Sequence, residues 1–109
     1  MTNNVANRLT IQDILTRYAA AIDDRSLKMY HECFAEDAET LRLSGGTEIG
    51  ADAWATEAQN KLEAFGATQH TLGPQIVTTK GDTASNRADA QALHYLKEKP
   101  AETISLWAV

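Results

Sequence analysis

A single cysteine, Cys33, stands among the 109 residues. No intrachain disulfide can form, and a cysteine-based zinc site would have to recruit histidines from elsewhere, so plain packing is the expected role of the thiol. Long hydrophobic runs are missing too, with no stretch approaching the roughly 20 apolar residues a membrane helix needs. Residues Met1 to Asn7 are polar and lack the basic start and apolar stretch of a signal peptide. A cytoplasmic protein without a membrane partner is the expectation. Positive charge is scarce: ten Lys and Arg face fifteen Asp and Glu, a net charge of -5, and the cations are scattered singly from Arg8 to Lys99. Phosphate backbones are bound by concentrated basic faces, so nucleic acid is not an expected partner. With 43% apolar and 23% charged residues, what remains is a globular chain long enough for one domain and too short for two.

The first half reads mainly as helix. From Leu9 to Asp23 the residues Ile11, Ile14, Leu15, Tyr18 and Ile22 recur at steps of three and four, one stripe of an amphipathic helix that Asn7 or Thr10 would cap. Asp23 and Asp24 fall at its C-terminal end, where the helix dipole disfavours anions. Spacing alone does not aim Asp23 at the core. Ser26 caps a short second helix whose face carries Leu27, Tyr30, His31 and Phe34. A weakly alternating strand over Ala38 to Leu43, a turn at Ser44-Gly45-Gly46 and a return at Glu48-Ile49 follow. Gly50 and Asp52 then precede a third helix with Trp54, Ala58, Leu62 and Phe65 on one stripe and Gly66 as its stop.

The second half reads as strand. Thr68 to Thr79 alternates so that His70, Leu72 and Ile76 share the apolar side, with Gly73-Pro74 marking a bulge or an edge, after which a slip of the alternation by one residue is expected. A titratable ring on an apolar face is either a core histidine satisfied by one hydrogen bond or a working group. After a turn at Lys80-Gly81-Asp82, the run Thr83 to Glu98 places Asn86, Ala88, Ala90, Ala92 and His94 on one side and Leu93 and Tyr95 on the other. A face of alanines is too thin to fill a core alone, so bulkier groups cover it or a space remains above it. A turn at Lys99-Pro100-Ala101 leads into a last strand, Glu102 to Val109, which stops without a polar tail. The expectation is a missing continuation or a strand completed by another chain, and therefore self-association.

The segments Ile11-Gln12-Asp13-Ile14 through Tyr18-Ala19-Ala20-Ala21-Ile22-Asp23, Phe34-Ala35-Glu36-Asp37-Ala38, Thr68-Gln69-His70-Thr71-Leu72-Gly73 and Ala90-Gln91-Ala92-Leu93-His94-Tyr95 carry a resemblance to the SnoaL-like group of the NTF2-like superfamily, covering nearly the whole chain. The resemblance implies an α+β fold, a cone in which N-terminal helices pack on a curved, mostly antiparallel sheet around an apolar cavity. Residues 1–109 would form a single such domain lacking its last one or two strands. It further implies that Asp23 pairs with His70 inside the cavity, that His70 is a general base, and that His94 also faces the cavity. Tyr18, Tyr30 and Trp54 are the candidate substrate-binding residues. No cofactor is expected.

An imidazole can take a proton at neutral pH, and a carboxylate on its other nitrogen fixes the tautomer and stabilises the cation that forms. The expected activity is therefore that of a lyase or isomerase: proton abstraction leading to dehydration, dehydrohalogenation or isomerisation of a small hydrophobic cyclic molecule. A metal set drawn from Asp23, His70, His94 or His31 has no recognisable metal-motif spacing, so none is expected. The competing expectation is a ligand-binding or dimerisation module, a homo-oligomer (dimer or trimer) whose interface carries Leu93 and Tyr95.

Overall fold

The computed structural model describes residues 2–41, 46–99 and 103–108. Helix α1 (Thr2–Asp23) leads to α2 (Leu27–Glu32), the short strands β1 (Glu39–Leu41) and β2 (Thr47–Ile49), and α3 (Ala51–Leu62). The long strands β3 (Phe65–Lys80) and β4 (Thr83–Leu96) and the shorter β5 (Thr103–Ala108) follow. β1 and β2 form an antiparallel pair, while β3, β4 and β5 form an antiparallel sheet in that order. This is the expected α+β arrangement, helices against an antiparallel sheet. Of the expected turns, Ser44 and Gly45 in one and Pro100 and Ala101 in the other lie outside the described residues, as do Arg42, Leu43, Glu102 and Val109.

Helix α1 starts seven residues earlier than the apolar stripe predicts, so Asn7 and Thr10 are interior residues and not caps. Nothing between Thr2 and Asp23 breaks a helix, and each asparagine weakens it by only a few tenths of a kcal/mol. The Thr10 hydroxyl donates to the Ala6 carbonyl, and Asn4 accepts a 3.0 Å hydrogen bond from Thr79, which ties the first turns of α1 to β3. At the other end, α3 stops at Leu62. Phe65 belongs to β3, and Gly66 lies inside that strand and does not stop the helix.

The core lies where α1, α2 and α3 meet: Ala21, Ile22, Tyr30 and Ala55 are buried, with Tyr18, Phe34, Trp54 and Leu62 packed around them. The run of small residues Ala19 to Ala21 lets the end of α1 approach its neighbours closely.

The alanine-rich segment is a strand, as alternation predicts. Gly81 takes a φ of 57° at the first central position of the β3–β4 turn, the left-handed conformation that a tight hairpin requires there. The register of β3 against β4 shifts between Leu72 and Gln75, at Gly73-Pro74. The slip inverts the alternation beyond it: Val77 is buried at 4% exposure, and Ile76 faces out at 59%. Before the slip His70 and Leu72 face the helices, so the bulge lets one strand serve two parities.

Ala21 is 1% exposed against the Tyr30 and Ala55 side. Ala21→Leu is expected to lower stability by about 1–3 kcal/mol through overpacking. A shift in the urea midpoint at unchanged m-value measures it.

Candidate active site

The end of α1 sets the geometry. Ser26 N–H donates to the Ala21 carbonyl at 2.9 Å and Arg25 N–H to the Ile22 carbonyl at 3.2 Å, the paired bonds of a Schellman helix stop. That motif favours glycine at its left-handed position, yet Arg25 occupies it with φ 59°. The conformation costs about 1–2 kcal/mol for a residue with a side chain. The Arg25 guanidinium offsets this with hydrogen bonds to the Ile22 carbonyl at 2.6 Å, to the Thr68 hydroxyl at 2.9 Å, and to the Gly66 carbonyl. A cation is thus held against the carbonyl end of the helix, where the dipole favours it.

Asp23, in the last turn of the same helix, is in the opposite electrostatic position and is compensated by donors from β3. Its Oδ1 stands 2.8 Å from His70 Nδ1 and accepts the Thr68 hydroxyl at 3.0 Å, while Oδ2 accepts the His70 backbone N–H at 2.8 Å. β3 is an edge strand of its sheet, so N–H groups directed away from β4 have no ladder partner, and Asp23 takes the one at His70. An ionised carboxylate only accepts, so Nδ1 carries a hydrogen and the neutral ring keeps its lone pair on Nε2. Side-chain exposures of 15% for His70 and 22% for Asp23 leave the pair largely screened from solvent. Asp24, the neighbouring acid, is simply exposed.

Room for the ring comes from the alanine face. His70 lies opposite Ala92 in the ladder and Thr68 opposite His94, so both imidazoles and the Thr68 hydroxyl share one side of the sheet. The rings of His70 and His94 meet edge to face at 5.7 Å between centroids, and Phe65 packs on the far side of His94 at 4.8 Å. His31 lies elsewhere, its Nε2 2.6 Å from Asp52 on α3. The Cys33 thiol donates to the Met29 carbonyl and burial pushes its pKa up, the opposite of an activated nucleophile.

Two cavities flank these residues. One of about 430 Å³ is walled by Ile22, Arg25, Tyr30, Leu62, Phe65 and Gly66. The other, about 500 Å³, is walled by Ile11, Leu15, Tyr18, Phe34, Trp54 and Asn86. Tyr18, Tyr30 and Trp54, the residues expected to bind substrate, therefore divide between two spaces. Asp23, His70 and His94 line neither directly; Phe65 and Arg25 link the smaller cavity to them.

Burial raises the phenol pKa of Tyr18 in spite of a hydrogen bond from Tyr30, and raises that of Tyr30 further, helped by Tyr18 and opposed by the Trp54 indole. Arg25 and Thr68 are the site residues that sequence reading missed. The available signals were the parity that Thr68 shares with His70 and the cation two positions after Asp23.

Helices packed on an antiparallel sheet, with a carboxylate at the end of the first helix held by a strand histidine, define this as a small cavity-bearing protein of NTF2-like fold. The chain belongs to the SnoaL-like domain family, whose model matches residues 3–109. Among solved structures it is similar to a provisionally assigned scytalone dehydratase from Novosphingobium aromaticivorans, with TM-score 0.86, 21% identity, and coverage of 98% of this chain and 72% of that one. A hexachlorocyclohexane dehydrochlorinase, LinA-type3 from Novosphingobium barchaimii, superposes with TM-score 0.82 at 21% identity over 97% of this chain and 73% of its own. A provisionally assigned aromatic ring hydroxylase from N. aromaticivorans does so with TM-score 0.82 at 29% identity over 94% and 73%. No curated protein sequence matches the chain. Among the described residues no helix is long and apolar enough to cross a membrane.

The raised tyrosines predict an alkaline limit. Above pH ~10 an unfolded chain releases phenol protons that the folded chain retains, so the stability present below that pH falls as pH rises. Tyr30→Phe is expected to flatten this decline between pH ~10 and ~12, read from urea midpoints across that range.

Proposed function

We propose that the protein is a cofactor-independent lyase or isomerase in which Asp23 and His70 form a general-base dyad acting on a small hydrophobic cyclic substrate. The observation that carries this is the 2.8 Å approach of Asp23 Oδ1 to His70 Nδ1, with the same carboxylate held by the His70 backbone N–H. Nε2 takes a proton from a substrate carbon, and the C–H electron pair forms a double bond as the leaving group departs. Asp23 stabilises the imidazolium that results. In a dehydration His94, set edge to face with His70, donates the proton that turns the departing hydroxide into water. In a dehydrohalogenation the halide leaves without one, and in an isomerisation the proton returns to another carbon. Two histidines in different surroundings can hold different protonation states, as an acid and a base must. Tyr30 and Phe65, on the cavity that adjoins the dyad, offer apolar wall for the substrate, with Tyr18 and Trp54 on the other cavity, and the dehydratase and dehydrochlorinase names of two structural neighbours fit the same chemistry.

A second reading has its own observation. Neither cavity is lined by the dyad, which suits a ligand-binding or dimerisation module in which the histidines are only satisfied polar groups. Its interface would be the outer sheet face, where Ile76 and Tyr95 are exposed.

Screening dehydration and dehydrohalogenation substrates separates the two. On any substrate turned over, His70→Ala and Asp23→Asn are expected to lower kcat by about 100- to 10,000-fold with the circular dichroism spectrum retained. Turnover that survives His70→Ala removes His70 as the base.

A further inference from the structure

The orientation of the Asp23 carboxylate is decided by two side chains outside the dyad. Thr68 is buried at 8% exposure. Its hydroxyl donates to Asp23 Oδ1 at 3.0 Å, the oxygen that also faces His70 Nδ1, and its oxygen accepts Arg25 Nη1 at 2.9 Å. A hydroxyl has one hydrogen to give. With a guanidinium N–H seated on the oxygen, that hydrogen is directed at Asp23.

Arg25 is itself immobilised, since its guanidinium also bridges the Ile22 carbonyl of α1 and the Gly66 carbonyl of β3. Those two bonds would be enough to clamp the helix end to the strand. The additional bond to Thr68 joins the clamp to the carboxylate. The left-handed backbone of Arg25 points the same way, for glycine would be the easier residue there and could not make the connection.

Resting on the dyad reading, we infer that Arg25 and Thr68 are positioning residues, a relay that holds Asp23 where it receives both N–H groups of His70. The relay keeps neutral His70 as the Nδ1–H tautomer, with Nε2 free to accept a proton. The charged and titratable groups around His70 are Asp23 from α1, His94 from β4, and the Arg25 guanidinium one hydroxyl away through Thr68.

Long-range ¹H–¹⁵N spectra of histidine-labelled full-length protein, recorded above the histidine titration, read the tautomer ratio of His70 without any substrate. Thr68→Val removes the hydroxyl at nearly constant shape. The expected result is a shift of about tenfold toward the Nε2–H tautomer, the order of effect for losing a hydrogen bond to a charged group, with Thr68→Ser restoring the parent ratio. Arg25→Gly, which suits the left-handed backbone, should shift the ratio in the same direction and reads the same quantity should Thr68→Val not fold. A folded Thr68→Val protein with the parent ratio overturns the relay. Asp23→Asn distinguishes the two levels. If it moves the ratio and Thr68→Val does not, the relay alone fails; if it too leaves the ratio unchanged, the dyad reading fails and the relay falls with it.

Discussion

A carboxylate in the last turn of a helix faces the negative end of the dipole, and the structure around Asp23 is organised to satisfy it there. The Thr68 hydroxyl, the His70 backbone N–H and the His70 ring all converge on its two oxygens. Each of these groups belongs to β3, so the carboxylate fixes the register of α1 on the sheet as well as the state of the histidine. A hydrogen bond to a charged group is worth about 1.5–3 kcal/mol, more than an ordinary one. Helix packing, strand position and ring tautomer thus depend on the same carboxylate.

The sheet supplies the matching half. A strand that kept one parity from Phe65 to Lys80 could not bury both His70 and Val77, since the two differ by an odd number of positions. The bulge at Gly73-Pro74 resolves the conflict, and a Cβ added at Gly73 would come within 3.4 Å of the Asp89 Cβ on β4. Opposite His70 a larger residue than Ala92 would compete with the ring for space. The alanine face of β4, poor as core material, is what allows two imidazoles and a phenylalanine to sit in one row beside the carboxylate.

Much of this was legible in the residues. Alternation identified the side of the sheet that holds His70 and His94, and Gly-Pro marked the bulge, because both signals are local properties of the backbone. Helix ends were read less well. Asparagines that resemble caps were absorbed into α1, since nothing upstream breaks the helix, and Phe65 continued the apolar stripe of α3 although the backbone had already turned into β3. Arg25 and Thr68 were missed for a different reason. Their roles arise only when the turn after α1 meets the start of β3, 43 residues away in the chain, and neither residue type is unusual in its local setting. Asp23 was recognisable through family resemblance and not through helical spacing, which places it off the apolar stripe.

The fold alone leaves the chemistry open. Structures superposing at TM-scores of 0.82 to 0.86 carry names as different as dehydratase, dehydrochlorinase and hydroxylase, so the function has to be argued from the site. Dehydration and dehydrohalogenation have one requirement in common, a base able to take a proton from carbon, and they differ in whether the leaving group needs a proton of its own. In the mechanism proposed above, that difference falls on His94 and not on His70. An alcohol loses hydroxide only with an acid beside it, whereas a halide departs unaided. The packing of Phe65 against His94 therefore bears, in that mechanism, on which leaving group is accepted more than on the abstraction step, because it sets where the second imidazole stands. In the proposed mechanism the dyad supplies the base in either reaction, and a proton from His94 is needed only for dehydration.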